Sequence, residues 1–127
     1  MAKFVNRASY IIILLCLNYI IGCSSSITFL PDDLPTATVG KPYYIEVQIK
    51  GGAPVASLTW EALPVNNGFF VETIEKEGFG EKNFLKVYGT PIEPVNTKIT
   101  LYGFTYGTSS SGEEFKKTYL IKVKKAN

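Results

Sequence analysis

The sequence predicts an all-β protein, an antiparallel sandwich of about seven strands behind a separate N-terminal segment. Three observations lead there. Apolar and polar residues alternate at period two along most of the chain after residue 27. No helical period of useful length interrupts the alternation. Turn-forming residues recur roughly every 8 to 12 residues, the spacing of an antiparallel sandwich.

The N-terminal segment comes first. Lys3 and Arg7 accompany an apolar run from Ala8 to Ile21, broken only by Ser9 and Asn18. A bilayer span needs about 20 apolar residues, so this run is short for one and has the shape of a secretory signal. It ends in Ile20-Ile21-Gly22-Cys23, which resembles the bacterial lipobox, with an aliphatic residue three places before the cysteine and a small one directly before it. The resemblance implies cleavage after Gly22 and a diacylglycerol on the Cys23 thiol. Cys16 follows Leu15 inside the apolar run and does not fit. The expected organisation is a signal peptide over 1–22, a lipid-anchored spacer over 23–33 and a folded domain over 34–127. An uncleaved anchor helix is the alternative, and either form holds the domain at a membrane. Two or three acyl chains, of the palmitate kind, would make a stable tether at about 0.8 kcal/mol per buried CH₂. Ser24 after the cysteine, by resemblance to enterobacterial lipoproteins, favours the outer membrane over the inner.

The strands follow in order. Tyr43, Ile45, Val47 and Ile49 alternate with Tyr44, Glu46, Gln48 and Lys50, behind Pro42 and ahead of Gly51-Gly52. Leu58, Trp60 and Ala62 alternate with Thr59 and Glu61 and stop at Pro64. Asn66-Asn67-Gly68 has the residue types that tolerate positive φ, so it reads as a turn before a strand from Phe69 to Glu75. Gly78 and Gly80 mark a loop before Asn83 to Tyr88, and Gly89-Thr90-Pro91 ends that strand. Ile99 and Leu101 belong to a strand reaching about Tyr106. A polar loop over Thr108 to Glu114 precedes the closing strand from Phe115 to Lys124. A short strand near Ile27 to Leu30 or Thr36 to Val39 completes about seven.

Composition excludes several function classes. Removing Lys3 and Arg7 with the signal leaves eleven basic residues against eleven acidic ones, so the mature domain is formally neutral. Nothing supports electrostatic binding to nucleic acid. Both cysteines lie at or before Cys23, so the core holds the fold without a disulfide. Histidine is absent, which removes the commonest general base and metal ligand. No enzyme, metal or cofactor is expected.

The order Leu34-Pro35, Val39-Gly40, Pro42-Tyr43, Gly51-Gly52, Leu58-Thr59-Trp60, Gly89-Thr90-Pro91 and a last strand to Val123 resembles the immunoglobulin-like (Ig-like), cadherin-like modules of bacterial surface proteins. The resemblance covers Leu34 to Val123 and implies an Ig-like sandwich with Trp60 as a filler between its sheets. Two departures stand out. Leu63-Pro64 is followed by the longer turn Val65-Asn66-Asn67-Gly68, and Tyr106-Gly107-Thr108 stands where the family often has an acidic residue, near the calcium site of true cadherins.

Candidate sites are few. Asp32-Asp33 and Glu113-Glu114 would offer oxygens to calcium only if their loops met, and no EF-hand spacing supports that. Ser109, Ser110 and Ser111 have no base to activate them. The candidate binding face is Tyr102, Phe104 and Tyr106, at spacing two on one strand, beside Tyr88 and Phe84 of another. A bulge at Gly103 would instead turn Phe104 and Tyr106 into the core. The expected function is a non-enzymatic binding module of the cell envelope whose partner is a protein or another envelope component. A structural lipoprotein without a ligand and a glycan-binding module are the alternatives.

Overall fold

The structure, a computed structural model, describes residues 27–78, 82–107 and 112–127. Lys3, Arg7, Cys16, Gly22, Cys23, Gly80 and Ser109 to Ser111 lie outside those residues. The described chain forms nine strands: β1 (Thr28–Leu30), β2 (Ala37–Thr38), β3 (Tyr43–Lys50), β4 (Val55–Leu63), β5 (Phe69–Thr73), β6 (Phe84–Gly89), β7 (Thr97–Thr105), β8 (Glu114–Ile121) and β9 (Val123–Lys124). One sheet runs β1-β3-β6-β5 and the other β4-β7-β8, with every neighbour antiparallel. β2 and β9 add a short parallel pair. This is the connectivity of the Ig sandwich, in which the first, second, fifth and fourth main strands oppose the third, sixth and seventh. Both short strands near the N-terminus exist, because the chain pairs first with β3 and then crosses to β9. Residues 27–33, assigned by sequence to the spacer, therefore belong to the folded domain.

The inner faces follow the predicted alternation. Tyr43, Val47 and Ile49 of β3, Leu85 and Val87 of β6, Ile99 and Leu101 of β7, and Phe115, Tyr119 and Ile121 of β8 pack into one core. The segment crossing between sheets is tied down by side chains from both. The Tyr43 hydroxyl donates to the Pro35 carbonyl at 2.8 Å and the Tyr119 hydroxyl to the Pro31 carbonyl at 2.7 Å. Lys117 reaches Asp32 at 2.8 Å.

Two elements differ from the sequence reading. Trp60 has the inward parity of β4, since it pairs with Leu101, yet it is 38% exposed. β4 is the edge of its sheet and faces β5, the edge of the other, so the ring stands at the open lateral seam rather than between the sheets. Asn67 is the second. It is 5% exposed, and its side chain reaches across to the loop before β7. Its Nδ2 donates toward the Glu93 and Val95 carbonyls and the Thr97 hydroxyl, while Oδ1 accepts from the Ile92 and Glu93 amides, the last at 2.8 Å. Alongside, the Thr90 amide donates to the Gly68 carbonyl at 3.1 Å. Gly68 and Gly89 both have positive φ, and a Cβ on either would collide with backbone of the other's turn.

Replacing Asn67 by Ala should cost about 2 to 4 kcal/mol, because the part-buried backbone groups of Ile92, Glu93 and Val95 and the buried Thr97 hydroxyl lose their shared partner at once. Urea unfolding of the variant against the native chain measures this. Alkaline stability gives a second expectation. Burial pushes the Tyr43 phenol up to about 12 and moves Tyr119 the same way, aided by the nearby charges of Asp32 and Asp33. The folded values exceed the unfolded value near 10, so this contribution is complete below about pH 10 and is lost as pH rises through 12. Thermal unfolding from pH 8 to 12 should show the fall beginning near pH 10, less steeply in Tyr43→Phe and Tyr119→Phe.

Candidate functional site

β7 carries the predicted aromatic face. Its alternation keeps Ile99, Leu101 and Gly103 toward the core and sends Tyr102 and Phe104 outward. Gly103 holds its parity because the Phe115 ring fills the space its side chain would need, where a Cβ would collide with that ring and the Ser57 carbonyl. The bulge lies on the partner strand instead, between Val55 and Ser57 of β4. Of the two registers the sequence left open, the outward one is observed: Phe104 is 49% exposed and Tyr106 61%.

Around these rings lies an open cleft of about 530 Å³, lined by Ser57 and Thr59 of β4, Tyr102 and Phe104 of β7, and Glu114 and Lys116 of β8. Two aromatic walls thus stand between hydroxyls on one side and an acid and an amine on the other. The Tyr102 hydroxyl donates to Glu61 at 2.9 Å, which pushes that phenol above its ordinary value. The Lys116 ammonium lies 5.4 Å from the centre of the Tyr102 ring, and this cation–π contact holds the ring from the other side.

Tyr88 does not join this face. It stands on the outer surface of the opposite sheet, paired with Tyr44 on one side and Phe70 on the other. Phe84 shares its parity but is buried, with the Lys76 ammonium 4.7 Å from its ring centre. The expected single patch is therefore two, separated by the thickness of the sandwich. The second is a row of three rings, Tyr44, Tyr88 and Phe70, beside a charged row of Glu46, Lys86 and Glu72. Tyr88 donates to Glu72, whose carboxyl is lowered by that bond, and Tyr44 donates to Glu46 at 3.1 Å. Tyr44 and Phe70 were not singled out from sequence; their outward parity was the available signal.

The lateral seam is a third feature. Trp60 separates a cleft of about 430 Å³ beside Leu58 and Val71 from one of about 350 Å³ beside Ala62, Val65 and Phe70. Asp32 is paired with Lys117, and among the described residues no group of three or more His, Cys, Asp or Glu is placed to hold a metal ion. Among the same residues no helix is long and apolar enough to cross a membrane.

No protein-family model matches the chain, and no curated protein is similar to it. Solved structures are. An R347E mutant of the SrpA adhesin from Streptococcus sanguinis superposes with a TM-score of 0.55 at 14% identity, covering 80% of this chain and 59% of that one. The SrpA adhesin itself gives a TM-score of 0.50 at 17% identity, covering 81% and 60%. The M3 domain of titin gives 0.47 at 16% identity, covering 77% and 96%. The chain spans about three fifths of the adhesin structures it matches. At these identities the two adhesin structures show the fold alone, in agreement with the Ig-like connectivity of the sheets.

Because both rings project from the sheet, a Tyr102→Ala, Phe104→Ala double variant should keep its stability within about 1 kcal/mol. Leu101→Ala, at the buried neighbour of Tyr102 on the same strand, should lose about 2 to 5 kcal/mol. Parallel melting curves measure both, and a large loss in the double variant would assign the rings to packing.

Proposed function

We propose that this protein is a non-enzymatic, lipid-anchored Ig-like binding module of the bacterial cell envelope, held by an acyl group on Cys23 and binding through the outer face of β4-β7-β8. One observation carries the reading. Tyr102 and Phe104 are held outward by a register that Gly103 and Phe115 set, and they open onto a cleft rimmed by Ser57, Thr59, Glu114 and Lys116. Rings that contribute nothing to the core, set among hydrogen-bonding groups, are the composition of a recognition surface. The partner is another envelope protein or component. The similarity to an adhesin is compatible with that role, and the complete lack of histidine accords with binding rather than catalysis.

A glycan is the second reading for the ligand, since a sugar ring stacks on tyrosine and phenylalanine while its hydroxyls meet carboxylate and hydroxyl partners. Ser24 after the anchored cysteine favours the outer membrane.

The anchor and the face are tested separately. Cys23→Ser should move the chain from the membrane fraction to the soluble fraction on cell fractionation, and retention in the membrane would remove the lipid from the account. A photo-cross-linking residue in place of Tyr106 should capture a reproducible partner in intact cells, protein or glycan-bearing. Adding Tyr102→Ala and Phe104→Ala should reduce that capture at least tenfold, as expected when about 1.4 kcal/mol of binding is lost. With no reproducible partner, the structural-lipoprotein reading replaces the binding one.

A further inference from the structure

The four sheet edges are not equally protected. β1 is three residues long and runs into Pro31, Asp32 and Asp33; β8 carries Glu114, Lys116 and Lys117; β5 has only five residues. Short edges, prolines and charges are the usual devices that stop edge pairing. β4 is nine residues long, holds no proline and carries one charge, Glu61.

Its free backbone groups can be identified. The Thr105 amide donates to the Glu113 carbonyl at 2.9 Å, so the odd residues of β7 bond toward β8 and the even ones toward β4. With Phe104 opposite Ser57 and Tyr102 opposite Thr59, the residues of β4 bonded to β7 are Ser57, Thr59, Glu61 and Leu63. Leu58, Trp60 and Ala62 direct their amides and carbonyls away from the sheet, and no described residue bonds to them. The start of the strand is closed off, because Val55 donates to the Asn83 side chain at 3.0 Å and the Ala56 carbonyl accepts from Lys82 at 3.1 Å. The open stretch therefore runs from Leu58 to Leu63.

Donors and acceptors at strand spacing accept an extended backbone. We infer that this stretch pairs antiparallel with the same stretch of a second copy, centred on Trp60, so that the two three-stranded sheets become one of six. Self-complementarity selects that occupant. About Trp60, Leu58 meets Ala62 of the second copy, a large side chain against a small one, and Trp60 meets Trp60. Leu58 of the second copy arrives at the cleft of about 350 Å³ that Ala62 lines. On the outer face Thr59 meets Glu61 of the second copy, so the single charge never faces its like. The exposed Trp60 is covered in the same event. The pairing needs no ligand on the Tyr102 face, although Thr59 lines that cleft as well.

Register-specific cross-linking tests it in the full chain in cells. Thr59 and Glu61 of the second copy would form a non-hydrogen-bonded pair, with Cα atoms about 4.5 Å apart, within disulfide reach. Thr59→Cys and Glu61→Cys chains with different tags, co-expressed and oxidised, should give the mixed dimer severalfold more than either like-with-like dimer, above the background of the native chain. Ala62→Pro in both chains removes an outward amide and leaves the β4–β7 ladder intact, and should abolish the mixed dimer. Should that variant fail to fold, charge decides. Thr59→Glu should weaken association, measured by sedimentation of detergent-solubilised protein, and adding Glu61→Lys should restore it. A monomer at all concentrations, equal cross-linking of all pairs, a foreign protein captured in place of the second copy, or a mixed dimer that survives in folded Ala62→Pro chains would overturn the inference.

Discussion

The Asn67 side chain is the constraint from which much of the sandwich follows. A turn between β4 and β5 and a loop between β6 and β7 must meet at one pole, and both present backbone groups that the sheets cannot satisfy. One buried amide, donating and accepting together, answers groups 25 to 30 residues away in sequence. The glycines at 68 and 89 let the two turns approach closely enough for it to reach. With that pole closed, β5 and β6 are held in one sheet while β4 and β7 are held in the other. The division of strands between sheets then sets which side chains share a surface.

That division explains what was legible in the sequence. The core strands were, because Val47, Ile49, Leu85, Val87, Ile99 and Leu101 alternate with polar neighbours and period two reports a buried face directly. The role of Asn67 was not. Asn-Asn-Gly is sufficient for a turn, and nothing local marks a residue whose partners lie in a different loop. The two-residue strands β2 and β9 were too short to carry a period. Trp60 was assigned to the correct face, but parity gives the face and not the distance from the edge, so its exposure was hidden.

The candidate site was half legible for the same reason. Tyr102, Phe104 and Tyr106 were found by spacing alone, since one strand is enough to place them together. Tyr88 was placed beside them, whereas the Ig connectivity puts β6 and β7, though consecutive in sequence, in opposite sheets. Its real companions, Tyr44 and Phe70, come from strands 44 and 18 positions away. Grouping surface residues in a sandwich requires the topology first and the spacing second.

The position of Ile27 bears on how the protein meets its surroundings. Ile27 is buried and leads directly into β1, so only Ser24, Ser25 and Ser26 separate it from Cys23. Four residue steps span about 14 Å at most. β1 begins opposite Lys50, next to the turn that enters β4, and there the Tyr106 amide bonds to the Pro54 carbonyl at 2.9 Å. The rings at the end of β7 therefore sit at the same pole as Ile27. If Cys23 carries the proposed lipid, that pole would be held against the headgroups, and its encounters would take place in two dimensions.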